Sequence, residues 1–301
     1  MKIQIVPPTV NLHVLAACNY HCGFCYAGFV TAQRQLLPQE ELHEILRQIS
    51  SLPAYGHGSA RKVTFAGGEP LLSRTIVEDI ALARQLGLVT SLVTNGALLT
   101  EALIHLLTPA LDWLTLSIDS ASLDTSLRIG RAAGGVAQTA AEHLAKIHKA
   151  QRCGIRVKIN TVVNRANVSE NFEGFIRNAR PHRWKMIQAT RIEQENSQTF
   201  DQWSISADQF RDFVSRHAPL AEDGIVMVPE RQSDVYGTYA MVGPNGCFFD
   251  NSQGVQRYSR RIVEVGIAKA WSEISFSWQR FRARGGDYDF TAGGKRTEVL
   301  Q

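Results

Sequence analysis

The stretch AACNYHCGFCYAG, residues 16–28, places cysteines at positions 18, 22 and 25, with no fourth cysteine nearby. The spacing is C-x3-C-x2-C. Thiolates are soft ligands that suit zinc or iron–sulfur clusters. A structural zinc site takes four protein ligands, and a four-iron cluster usually takes four cysteines. Cys153 and Cys247 lie far along the chain and alone. His13 or His21 would complete a zinc site. Three cysteines by themselves would instead leave one iron of a cluster open to a non-protein ligand, and the spacing favours this second reading. Cys153, between a helical and a strand pattern, reads as a small buried hydrophobe, and Cys247 as structural.

Around this loop, short β-type runs alternate with amphipathic helical runs. Strands are expected at 10–15, 62–66, 89–94, 112–118, 155–163 and 184–190. Helices are expected between and after them at 38–52, 74–87, 101–109, 136–151 and 169–179. Pro38 suits a first helical turn, and Gly87 and Gly154 suit helix ends. Six βα alternations imply an α/β fold with a parallel sheet. After about residue 195 the pattern changes to a helix at 206–218, short β-like pieces at 225–228, 236–241 and 246–249, and two short helices. The expected organisation is a core over 1–195 and a C-terminal extension over 196–301 packed on it, one catalytic domain ending in a mobile glycine-rich tail.

Lys and Arg total 32 against 28 Asp and Glu, a net +4. This is too mild for duplex nucleic acid or a membrane surface, but leaves room for a local basic pocket. The cysteine count is odd and bunched, unlike a secreted disulfide framework, so a reducing, cytoplasmic setting is expected. The N-terminus has no signal-peptide h-region. The apolar run around 112–119 is short and carries Asp112 and Asp119, so no membrane span is expected.

With Phe24 before Cys25, the motif becomes C-x3-C-x-aromatic-C and resembles the signature of the radical S-adenosylmethionine (SAM) enzymes. The resemblance implies a partial (β/α)6 TIM-type barrel and a [4Fe–4S] cluster on Cys18, Cys22 and Cys25, its open iron chelated by SAM. FAGGEP at 65–70 resembles the family's glycine turn, which holds the methionyl amine; glycines at a strand end permit close backbone approach. Within the superfamily, TNGALL, KINTVVNRANV, RWKMIQ, IEQENS and RGGDY resemble the viperin family, with likeness from about Val10 to Phe290.

That resemblance implies SAM contacts at Tyr26, Gly67, Gly68, Glu69, Thr94, Asn95, Ser117, Asp119 and Asn160. Ser117 and Asp119 would equally suit a polar strand end. It implies a nucleoside triphosphate substrate, CTP first, UTP next and GTP third, held by Asn11, Lys62, Arg131, Lys158, Arg183, Lys185, Tyr239 and Arg284. Charges inside apolar strands, as at Lys158 and Lys185, are seldom buried unless paired, and a phosphate would pair them. In many relatives the arginine at the position of Arg131 meets SAM instead. Arg284, Gly285 and Gly286 would close over the γ-phosphate as a substrate-ordered lid.

The implied reaction is removal of the ribose 4′ hydrogen by a 5′-deoxyadenosyl radical and loss of the 3′ hydroxyl as water. The product is a 3′-deoxy-3′,4′-didehydro nucleotide, a chain terminator in antiviral defence. Lys62 is the implied acid and Tyr239 the implied donor in the last step, with a flavodoxin or ferredoxin as electron source and a monomer as the working unit. Two departures stand out: Ala66 replaces a serine usual in vertebrate viperins, and the ending TEVLQ lacks their terminal tryptophan. The amphipathic membrane helix of those relatives has no counterpart, so a soluble microbial-type enzyme is expected. The rivals are a radical SAM enzyme acting on another molecule, such as a peptide, and a non-catalytic Fe–S or zinc module. Only Cys247 lies beyond residue 160, which argues against auxiliary clusters.

Overall fold

The computed structural model describes residues 5–27, 35–53 and 60–291. Among the described residues ten strands form one sheet, and eight of them are joined by parallel pairing. Six carry βα units: β1 (Thr9–His13), β2 (Lys62–Ala66), β3 (Val89–Thr94), β4 (Trp113–Ser117), β7 (Arg156–Val163) and β8 (Arg183–Gln188). The helices that follow them are α1 (Gln39–Ser50), α2 (Ile76–Gln85), α3 (Glu101–Leu107), α4 (Leu123–Ile129), α5 (Ala140–Arg152), α6 (Glu173–Ala179) and α7 (Ala207–His217). The six expected strands are all present, within two residues at either end. Pro38 stands just before the first residue of α1, and Gly87 and Gly154 follow the ends of α2 and α5.

Not expected were α4 and the small hairpin of β5 (Ala132–Ala133) and β6 (Val136–Ala137), which together with α5 fill the β4–β7 connection. Seven residues of helix carry too little periodicity to be recognised. The C-terminal half adds β9 (Val226–Glu230) beside β8. At the other edge it adds β10 (Ala240–Val242) beside β1, then antiparallel β11 (Cys247–Asp250) and β12 (Arg257–Arg261). The short helix Trp278–Ala283 is the last among the described residues.

The strands alternate with period two. Val10, Leu12, Val63, Phe65, Leu114, Leu116, Val157 and Ile159 belong to one apolar core that also takes the buried faces of the helices. The alternate residues of the same strands line a cavity of about 330 Å³. Inward positions of a closed barrel are usually a second apolar core; here many carry hydroxyls, amides and cations. Lys185 of β8 hydrogen-bonds Tyr239, just before β10, although five strands lie between them in the row. The sheet therefore curls, and side chains stitch the seam between β9 and β10 where no ladder forms.

Candidate active site

The loop after β1 carries the cysteines, so they stand at the C-terminal ends of the parallel strands. Its path is fixed by two glycine contacts. Gly68 donates its N–H to the Leu15 carbonyl at 2.9 Å and Glu69 donates to Ala17 at 2.8 Å. A Cβ on Gly68 would overlap the Ala17 carbonyl group. On the other side, His21 and Gly23 donate to Gly130 and Ile129 at the end of α4. Trp203 lies against Gly23, where a Cβ would collide with the indole.

Cys18, Cys22 and Cys25 line the cavity, and none of the five cysteines forms a disulfide. Burial pushes the Cys22 thiol up to about 12 with Arg131 opposing, and burial also raises Cys18. Among the described residues, no three His, Cys, Asp or Glu side chains gather as they would around a single metal ion. Three free thiols on one cavity wall are the donor type that iron–sulfur clusters use. Asn160 Oδ1 is buried without a hydrogen-bond partner and its residue lines the cavity in register with Ser117, an acceptor set aside for a polar ligand beside the thiols.

The expected SAM residues divide into two groups. Tyr26, Gly67, Gly68, Thr94, Asn95, Ser117 and Asn160 line the cavity. Glu69 and Asp119 are buried, off its wall, and already engaged. Glu69 accepts from Thr94 Oγ1 at 2.7 Å and from the N–H groups of Asn95 and Leu71 at 2.8 and 3.0 Å. Asp119 accepts from Val162 N at 2.7 Å and from Arg131. Arg131 thus stands with the cysteines and Tyr20 at the cofactor end, apart from the other cations with which the sequence grouped it.

Those others converge at the opposite end. Lys62, Lys158, Arg183, Lys185 and Arg284 line the cavity from four different segments of the fold. Burial drives the Lys158 amine well below its ordinary value, and Lys185 and Lys62 add to the effect. No hydrogen bond or ion pair to its ammonium occurs among the described residues. Lys62 donates to Tyr288 Oη at 2.9 Å, and Arg183 stacks on the Tyr288 ring at 3.9 Å. Burial alone would raise the Tyr288 phenol, but Lys62 and Arg183 bring it below its usual value. Asn11 bridges to the Ala240 carbonyl at 3.2 Å and lines the same wall.

Two residues here escaped the sequence reading as site residues. Tyr288 sits in RGGDY, and nothing local marks it as a neighbour of Lys62 and Arg183. Glu230 ends β9; it accepts from Lys185 at 2.6 Å, Arg284 at 2.8 Å and Tyr239. The segment expected to close only over substrate is packed down. Arg284 also donates to Thr238 O at 2.7 Å, and Phe290 O accepts from Trp113 Nε1 at 3.0 Å. Residues beyond 291 of the expected mobile tail lie outside the described ones.

A model of the radical SAM superfamily matches residues 12–179. An S-adenosylmethionine-dependent nucleotide dehydratase from Flammeovirga pacifica is 36% identical, over 94% of this chain and 96% of that one. The chain belongs to the S-adenosylmethionine-dependent nucleotide dehydratase family. A dehydratase from Lacinutrix mariniflava is 37% identical over 94% of this chain, and the match spans 59% of that longer protein. The dehydratase RSAD2 of Danio rerio, a viperin, is 32% identical over 97% of this chain and 80% of its own. Among solved structures, SAM-bound SuiB of Streptococcus suis superposes with a TM-score of 0.70 over 94% of this chain and 69% of its own, at 14% identity. That likeness concerns the fold. Radical SAM dehydratases of this family use a [4Fe–4S] cluster and SAM, and the thiol loop and the unpartnered Asn160 acceptor fit both. No helix among the described residues is long and apolar enough to cross a membrane.

Proposed function

We propose that the protein dehydrates a nucleoside triphosphate, CTP by preference and UTP next, to its 3′-deoxy-3′,4′-didehydro form, a chain terminator for antiviral defence. The observation that carries this reading is the cation-rich end of the cavity: five cations face one carboxylate in the space that also holds the thiols. A triphosphate would offset the burial, and the nearby Lys185 and Lys62 charges, that now destabilise the Lys158 ammonium. When bound, the cluster and SAM supply a radical that takes the ribose 4′ hydrogen.

The chain's own residues do the rest. Cys18, Cys22 and Cys25 hold the cluster; Tyr26, Gly67, Gly68, Thr94, Asn95, Ser117, Asn160 and Arg131 surround SAM; Glu69 and Asp119 brace that shell. Lys62, Lys158, Arg183, Lys185 and Arg284 hold the phosphates, and Asn11 meets the base or sugar. Lys62 provides the proton with which the 3′ hydroxyl leaves, and Tyr239 serves the last step. Residues 1–195 and 196–301 act as one catalytic domain, as a cytoplasmic monomer supplied by a flavodoxin or ferredoxin.

The test uses anaerobically reconstituted protein, dithionite, SAM and each nucleoside triphosphate separately. Mass spectrometry should find 5′-deoxyadenosine together with one nucleotide lighter by a water. Cleavage of SAM with every nucleotide unchanged would remove the triphosphate assignment and leave a radical SAM enzyme for another substrate.

A further inference from the structure

Glu230 is a puzzle in a pocket for a polyanion. It is the only carboxylate among the described residues that line the cavity, and it is fully buried. A counter-ion for Lys185 and Arg284 would be redundant once phosphate arrived, and would repel it. The contacts of its two oxygens suggest a different role. Oε1 takes Lys185 and Arg284, while Oε2 faces Tyr239 Oη. Lys185 Nζ also lies 2.7 Å from that phenol oxygen. An ammonium only donates, so the phenol accepts from Lys185 and directs its own proton to Glu230. Burial would raise the Glu230 carboxyl, yet Lys185 and Arg284 hold it down to about 2. Burial holds the Tyr239 phenol well above its ordinary value, with Glu230 adding to it. The resting pair is therefore carboxylate and neutral phenol.

We propose that Glu230 is a positioning residue for the electron-giving step: it receives the phenolic proton of Tyr239 as that tyrosine passes one electron to the substrate. This rests on the dehydration reading above. Once the 4′ hydrogen atom is gone and the 3′ hydroxyl has left with a proton as water, the ribose is one electron short of the C3′=C4′ alkene. It needs no further proton, because C3′ keeps its own hydrogen. Tyr239 supplies the electron, and its O–H proton crosses the existing hydrogen bond to Glu230. The oxidised tyrosine is then reset by one electron from the iron–sulfur or flavin carrier that reduces the enzyme (dithionite in the assay), and Glu230 returns the proton.

The experiment measures dehydrated nucleotide formed per 5′-deoxyadenosine in reconstituted holoenzyme with CTP, SAM and dithionite. Glu230→Gln should lower that ratio about a hundredfold while 5′-deoxyadenosine is still made. Tyr239→Phe should match it, and the double variant should be no worse than either, because the two act as one unit. CTP binding to the protein without cluster should not weaken in Glu230→Gln, which a merely structural role would not spare. Glu230→Asp, whose acceptor sits one methylene further back, should give an intermediate ratio and guards against misfolding of the amide variant. An unchanged ratio in the Glu230 variants, or additive losses in the double variant, overturns the proposal. Wild-type enzyme that cleaves SAM but converts no nucleotide instead overturns the dehydration reading beneath it.

Discussion

At the cysteine end of the cavity, Glu69 and Asp119 are each matched by donors of the protein itself, and the backbone is drawn together through glycines. At the far end, five cations share one carboxylate, and Lys158 is flanked by Lys62 and Lys185. At the first end the buried carboxylates are satisfied by the chain's own donors, while the thiols and Asn160 Oδ1 stay open. The second holds repulsion that an anionic ligand would remove; on the proposed reading it gives up stability in the empty protein for affinity in the loaded one. Damage to the two ends should accordingly show in different measurements.

The largest effect should come from Cys18→Ala, which is expected to abolish SAM cleavage and cluster loading, read by iron content and 5′-deoxyadenosine. Triphosphate binding to the cluster-free protein should survive it; loss of that binding too would show the ends to be one unit. Next is Gly68→Ala. Its methyl meets the Ala17 carbonyl, backbone that cannot turn aside, so a stability loss of about 3 kcal/mol is expected, visible as a lower melting temperature and poor iron uptake. Lys158→Met should cost about 2 kcal/mol of triphosphate binding by calorimetry, yet leave the empty protein as stable as before or more so.

The same lysine gives a pH signature. Its folded amine lies below the ordinary value of 10.5, so between the two the unfolded chain binds more protons. For this group, stability of the empty protein then rises with pH through that window. Triphosphate binding should take up protons there, measurable in buffers of different ionisation enthalpy. The smallest effect is expected for Tyr288→Phe, which keeps the ring on Arg183 and loses only the bond to Lys62, about 1 kcal/mol of binding.

The cysteine end was legible because its residues are close in sequence. CNYHCGFC and GGEP are local strings whose meaning is backbone geometry. The strands were legible too, since KVTFA and RVKINTVV alternate apolar residues with polar ones that turn out to face the cavity. The far end was legible only in part. Lys62, Lys158, Arg183 and Lys185 interrupt apolar strands and so announce themselves. Glu230 ends an unremarkable strand, and Tyr288 follows two glycines; each gains its meaning from partners dozens or hundreds of residues away. Arg131, grouped in the sequence with the other cations, pairs instead with Asp119, a contact formed only once α4 turns the chain back.

The bond between Lys62 and Tyr288 joins residues 226 positions apart. Synthesis runs from the cysteine loop toward the tail, and at ordinary elongation rates those 226 residues take roughly 11 to 45 s to add. Throughout that interval the emerging chain already carries its thiols, while the far mouth of the barrel lacks Arg284, Tyr288 and Phe290. The thiol loop is thus made well before the segment that closes the far mouth, and an unfinished chain has no complete pocket.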